Sequence, residues 1–230
     1  MLIVNCNKTS ETAERLENYS NAIKGNFLIN LGNSSLKEEN YKDYIIINKV
    51  EGIKNCVNKK DMFRLLKKGK VSSLDYLNLK NPIDLIKGFM ILYTKSLVFR
   101  KERKLKIINN HIDYFTLLKN YDYATIKENK VLEYRVLMFK DYPFRILLKL
   151  NKTNDFKLKQ ENCKFISVNL IREDIVKECI KATKSIGIDL AGIDILINNK
   201  FEPKIIEINS GMALCGKSIR ELIKSIKEYY

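Results

Sequence analysis

Histidine is almost absent from this sequence: His111 is alone among 230 residues. That excludes a metal site built on several histidines, and Ser–His–Asp or Cys–His catalysis would have to rely on that single ring. The cysteines are Cys6, Cys56, Cys163, Cys179 and Cys215, an odd number with no CxxC pair. Neither a disulfide framework nor a zinc knuckle follows from that spacing, and reduced thiols in a cytoplasmic protein are expected. Long apolar runs are missing too. Gly88–Tyr93 is among the longest, whereas a membrane span needs roughly 18 residues, so no membrane partner is expected. The start, Met1–Cys6, has no basic segment and no long apolar one, so a secretory signal is not expected.

Arginine is scarce, with 8 against 34 lysines, although the net charge is +15. A basic chain attracts anions such as nucleic acid, nucleotide phosphates or acidic peptides. Nucleic-acid interfaces lean on arginine, however. The abundance of Lys, Asn, Ile and Tyr is also what AT-rich coding produces, so coding bias accounts for more of the charge than function does. Nucleic acid stays open as a partner without being favoured.

What the sequence does have is enough apolar residue, 45%, to bury a core as one large domain or two small ones. Residues 2–5, 27–30 and 44–48 are short, β-branched and bounded by polar residues, which predicts buried strands. Residues 10–24 predict a helix capped by Ser10 and ended by Gly25. Residues 57–69 predict a second, and Pro82–Lys87 a short third. From Phe89 the period changes to two. Met90–Thr94 and 105–108 then read as strands joined by a basic loop, 95–104. Residues 131–139 and 144–150 predict a hairpin turning at Lys140–Pro143, followed by a polar loop over 151–162. Residues 171–186 predict a helix ended by Gly187. Residues 191–209 predict another hairpin, and the stretch from Lys217 an amphipathic helix.

The hairpin around Asn199–Glu202 carries the chemistry. Counted without a bulge, it sets Asp194 opposite Glu207, and Asn209 follows Glu207 on the same face because side chains alternate. Like charges directly opposed on a sheet are destabilising unless a cation or a shared proton lies between them. Two carboxylates and an amide are hard oxygen ligands suited to Mg²⁺ or Mn²⁺, with substrate phosphates completing the shell.

This D-x12-E-x-N pattern, preceded by a helix and a Gly187-Ile-Asp turn, resembles the C-terminal core of the ATP-grasp superfamily. Leu132-Glu-Tyr-Arg-Val136 resembles the E-Y-R-V or D-I-R-V strand of its RimK-like branch and of small phage-type members. Ile47–Ile53, Asn58–Met62 and Leu65–Gly69 resemble the segment that enters the grasp. The resemblance implies an α+β ATP-grasp fold, with a reduced N-terminal α/β layer over 1–56. A first grasp subdomain over 57–130 would carry the basic loop, and a second over 131–230 the metal and phosphate site. It implies that Asp194, Glu207 and Asn209 hold Mg²⁺, and that Arg135 and Lys149 act at the reacting groups. Lys59 and Lys95 would contact ATP phosphates, Ile126 would lie at the adenine hinge, and Glu133 would reach the ribose.

The activity so implied is ATP-dependent ligation of a carboxylate to an amine through an acyl phosphate, on small-molecule or peptide substrates. Three departures stand out. The stretch after Lys95 has no glycine where the family has a glycine-rich loop, Asn58 replaces the usual Asp, and Ser210-Gly-Met-Ala follows Asn209. They keep a second reading open, a decayed scaffold that binds nucleotide or nucleic acid without catalysis.

Overall fold

The computed structural model describes residues 1–6, 10–92, 97–101, 104–118, 120–151 and 163–230. Three sheets organise the chain. The first is parallel, in the order β1 (Leu2–Cys6), β2 (Phe27–Leu31), β3 (Ile45–Ile47). Helix α1 (Glu11–Glu17) connects its first two strands and is shorter than the predicted 10–24. Asn18 closes it, and Ser20–Ala22 continues only as a 3₁₀ turn. The run Asn18–Asn21 lacks strong helix formers, so the amphipathic pattern outlasts the helix.

The predicted helix 57–69 is α3 (Lys59–Lys68); a separate helix before it, α2 (Val50–Val57), was not anticipated. Asn58 separates them in an extended conformation, and its side chain accepts from the Lys60 and Asp61 amides. Asn therefore caps α3, an end for which Asn and Asp are about equally suited. In α2, a side chain at Gly52 would put its Cβ 2.2 Å from the Gly187 carbonyl oxygen, so this helix packs closely on the end of another.

A four-stranded antiparallel sheet follows, in the order β4 (Tyr76–Asn78), β7 (Tyr123–Ile126), β5 (Leu97–Lys101), β6 (Lys104–Ile108). Helices α4 (Pro82–Ile91) and α5 (Ile112–Leu118) complete this unit. Two expectations are corrected here. Met90 and Ile91 belong to α4, whose Asn81 cap and Pro82 at the first position start a helix of three turns. A short apolar run fits a buried helix as well as a strand, and the start signal decides. The basic stretch is also not simply a loop, because Leu97–Lys101 pairs with both β6 and β7.

The third sheet has five antiparallel strands, in the order β10 (Cys163–Val168), β9 (Tyr142–Asn151), β8 (Lys130–Phe139), β11 (Leu190–Asn198), β12 (Pro203–Asn209). The β8–β9 turn is tighter than predicted, with Phe139 paired to Tyr142 and Lys140 at φ 54. The predicted polar loop lies, from 152 to 162, outside the described residues. Helix α6 (Glu173–Ile186) ends at Gly187, whose φ is 76; only glycine adopts that left-handed cap without penalty. Helix α7 (Gly216–Tyr229) closes the chain.

One face of this sheet is core. Ile193, Ile195, Ile197, Ile205 and Ile208 pack with Ile175, Cys179 and Ala182 of α6 and with Met62 and Leu66 of α3. On the opposite face, Leu137 and Phe139 share a second core with α7 and the parallel sheet. Buried Asn48, at φ 67, joins these layers. Its Oδ1 accepts from the Asp189 and Leu190 amides, and its Nδ2 donates to the Asn30 and Leu190 carbonyls. No helix among the described residues is long and apolar enough to cross a membrane.

Candidate functional site

The site lies on the second face of the five-stranded sheet, where it is not covered by α7. Asp194 does stand opposite Glu207, by a different route from the one expected. Asn198 closes the turn by accepting from the Lys200 and Glu202 amides, so the ladder starts with Ile197 opposite Pro203. The register shifts next to Asp194, where Ile195 pairs Ile205 and Asp194 pairs Glu207. Ile206 is the extra residue, and this bulge restores the opposed carboxylates. Bulges commonly re-aim side chains beside functional sites.

The same row continues to Arg135 on β8, directly across from Asp194. Its Nε and Nη2 donate to the two Asp194 oxygens at 2.7 and 2.8 Å. This is a bidentate pair, the strongest form of carboxylate recognition. The guanidinium also lies 5.2 Å from the centroid of the Phe165 ring on β10. Hydrogen bonding to Asp194 raises the Arg135 pKa, and burial opposes it. On the outer side of the row, Lys59 Nζ stands 2.6 Å from Glu207 Oε1. Lys59 opens α3, where the helix dipole disfavours a cation; Glu207 compensates. Asn209 lies in the next row, opposite Gly192.

One row the other way, Glu133 is 4% exposed. Lys130 Nζ donates to its Oε2 at 2.7 Å, and Lys149 donates to its Oε1. Burial pushes the Glu133 carboxyl up, but the two lysines outweigh it and hold it below the usual range. Both oxygens of this side chain thus serve lysines.

Beside Glu207 opens a cavity of about 330 Å³, lined among others by Lys59, Phe63, Tyr123, Thr125 and Glu207. The Thr125 Oγ1 is buried there without a hydrogen-bond partner. Phe63 stacks on Tyr76 at 5.0 Å, and Tyr76 adjoins Tyr123 at 5.4 Å. The cavity therefore lies between the four- and five-stranded sheets, with an aromatic wall and a charged end.

The expected residues distribute as follows. Lys59, Arg135, Asp194 and Glu207 come together as two ion pairs in one row, and Lys149 joins Glu133 next to them. Ile126 is not brought to the cavity. It is 5% exposed in the core of the four-stranded sheet, with Leu77, Leu97 and Ala124. Lys95 lies outside the described residues. Lys130, Tyr123, Thr125 and Phe63 were not anticipated. Strand alternation was the available signal for two of them, since Tyr123 and Thr125 face away from Ala124 and Ile126.

Two carboxylates and one amide, from Asp194, Glu207 and Asn209, could serve a hard cation; among the described residues no group of three or more His, Cys, Asp or Glu is placed to hold an ion. Such a set is oxygen-only and incomplete, which fits Mg²⁺ sharing its shell with phosphates. Among the described residues no cysteine is in a disulfide, and burial pushes Cys56 and Cys179 up to about 12. Thiols held that far from ionisation are poor nucleophiles.

Solved structures share this architecture. The ATP-grasp ligase PsnB, complexed with a phosphomimetic variant of a minimal precursor, Mg and ADP, superposes with a TM-score of 0.64 at 14% identity, covering 82% of this chain and 62% of that one. N5-carboxyaminoimidazole synthase from Aspergillus clavatus gives 0.59 at 16% identity, covering 80% and 53%. The macrocyclase MdnC from Microcystis aeruginosa, bound with precursor peptide MdnA, gives 0.57 at 12% identity, covering 80% and 65%. The chain thus spans less than two thirds of the length of each of these three. No curated protein sequence matches it. The description of the family that matches residues 63–226, most of the chain, is RimK-like ATP-grasp domain. With its grasp of two antiparallel sheets around a charged cavity, the chain belongs to the RimK-like ATP-grasp family.

Proposed function

We propose that the chain is an ATP-dependent ligase that joins a carboxylate to an amine through an acyl phosphate. The observation that carries this reading is the row Lys59–Glu207–Asp194–Arg135 at the edge of the cavity between the sheets. It supplies carboxylates for a divalent cation and cations for phosphates within one patch. The cavity would take the nucleotide, with Phe63 and Tyr123 against its apolar part and Thr125 Oγ1 offered to a polar atom. We assign residues 1–56, 57–130 and 131–230 to an N-terminal layer and two grasp subdomains closing on that cavity.

Asp194, Glu207 and Asn209 would hold Mg²⁺, which when bound neutralises phosphate charge as a Lewis acid. Lys59 and Arg135 would orient the γ-phosphoryl group toward the attacking carboxylate and offset the charge that spreads over its oxygens. Lys130 and Lys149, steered by Glu133, add positive charge where the acyl phosphate forms. The carboxylate would displace ADP from the γ-phosphoryl group to give the acyl phosphate, and an amine would then attack the acyl carbon, losing a proton and expelling phosphate. No step needs a nucleophilic side chain. A PsnB complex and the MdnC complex contain precursor peptides, and a peptide carboxylate is the substrate class we favour.

Calorimetric titration of Mg-ADP and Mg-ATP tests the reading. The wild type should bind, and Glu207→Gln and Asp194→Asn should weaken binding by about tenfold or more. Equal binding by all three proteins would remove the site. No binding by the wild type would leave the decayed scaffold, for which salt-sensitive polyanion binding is the next measurement.

A further inference from the structure

We propose that Arg135 and Lys59 are internal counter-ions of the metal-ligating carboxylates, so that a divalent cation enters only together with the nucleotide that draws them away. The inference rests on the nucleotide reading above and adds an order of events to it. Both oxygens of Asp194 are occupied by the Arg135 fork. The Asp194 side chain is 8% exposed and that of Arg135 22%. Glu207 is held by Lys59 at 2.6 Å. The two opposed carboxylates are thus neutralised from within the chain, as like charges facing each other on a sheet require.

A bare Mg²⁺ meets three obstacles here. It must shed water, which it does reluctantly. It must also displace a bidentate guanidinium from a desolvated carboxylate. Finally, a displaced Arg135 and Lys59 would be left unpaired beside the incoming charge. That last cost disappears when phosphates arrive with the ion. A polyphosphate accepts a guanidinium fork as well as a carboxylate does, so Arg135 and Lys59 exchange carboxylate for phosphate while the metal exchanges water for carboxylate. The charge balance of the row is kept throughout.

Two features prepare the exchange. Phe165 gives the Arg135 guanidinium a contact that does not depend on Asp194. Lys59 sits on the first residue of α3 and lines the cavity itself, so its ammonium turns from Glu207 toward phosphate without movement of the helix.

The test reads metal binding and stability, not turnover. MgCl₂ alone is titrated into the wild type, Arg135→Gln, Lys59→Gln and Arg135→Gln/Asp194→Asn, and each melting temperature is followed with and without Mg²⁺. The wild type should take up bare Mg²⁺ weakly and melt at the same temperature with or without it. Arg135→Gln should bind bare Mg²⁺ about tenfold more tightly or better, and its lowered melting temperature should rise with Mg²⁺. The double variant should lose that gain. Lys59→Gln makes the same test at Glu207 from another element, and decides the matter if Arg135→Gln does not fold. If the wild type binds Mg-ADP but neither variant gains affinity for bare Mg²⁺, the exchange is wrong and the nucleotide reading stands. A wild type that already binds bare Mg²⁺ tightly overturns it equally. A wild type that binds no Mg-ADP at all removes both.

Discussion

The two faces of the five-stranded sheet are made by the same strands to opposite ends. On β11, Ile193, Ile195 and Ile197 point into the core against α6. Their alternates Gly192 and Asp194 face the cavity side, and Asp194 is met there by Arg135 and Glu207. Every residue of β11 is buried, so burial alone does not tell the faces apart; chemistry does. The apolar face gains by removing area from water, without direction. The charged face holds three carboxylates and four cations whose pairing is geometric. Charges so placed return little net stability after desolvation, so stability alone does not account for their placement.

The sharpest way to break this contrast is Ile195→Ala. The side chain is 0% exposed in the α6 core, and its loss should cost about 2–5 kcal/mol in denaturant unfolding, with Mg-ADP affinity unchanged for the folded fraction. A cost below about 1 kcal/mol would mean that the core collapses onto the gap, contrary to the packing described.

Asn48→Ala comes next. Its amide serves two backbone donors and two backbone carbonyls between layers, and buried donors left unsatisfied are expensive. About 2–3 kcal/mol is expected. Hydrogen exchange should show the parallel sheet losing protection first, and equal loss in all three sheets would argue against a joint at this residue.

How much of this was legible before the structure depends on the range of the interaction that decides each feature. The hairpin was legible from its alternation, but the count without a bulge reached the Asp194–Glu207 pair only because a ladder that starts one residue earlier is offset by the bulge. The Ile206 bulge was not legible, since it depends on how Asn198 folds the turn over Glu202. The family was legible from the resemblance of the D-x12-E-x-N pattern and of Leu132–Val136 to its motifs. The end of α1 and the extent of α4 were misjudged because their apolar patterns fit two periods or outrun the helix. Lys130 was invisible for a different reason. Among 34 lysines, only the position of its ammonium over Glu133 distinguishes it. Ile126 ends β7, shortly before β8 of the five-stranded sheet, with its side chain in the core.

Glu133→Gln asks whether the charged face contributes to stability where it is most buried. It removes the one anion between Lys130 and Lys149, and roughly 2 kcal/mol should be lost at pH 7. The pH dependence has a fixed sign. The folded carboxyl titrates below its ordinary value of 4.5, so its stabilisation is present above that value. It disappears as the pH falls through the folded one. The gap between wild type and variant should therefore narrow as the pH drops below 4.5. A gap that stays constant in acid would mean that shape, not charge, is what the variant disturbs.

Glu207→Gln should have the smallest effect on folding. The side chain is 39% exposed, and its partner Lys59 is 23% exposed, a setting in which an ion pair contributes about 0–1 kcal/mol. Removing this charge also relieves its repulsion with Asp194 across the hairpin. The two effects oppose each other, so the unfolding free energy should move by less than about 0.5 kcal/mol, while Mg-ADP affinity falls by about tenfold or more. Stability and binding would then separate at one residue in the sense opposite to Ile195→Ala, as expected if one face of the sheet holds the fold and the other holds the ligand. A loss of more than about 2 kcal/mol on unfolding would place Glu207 within the structural framework and dissolve the distinction between the faces.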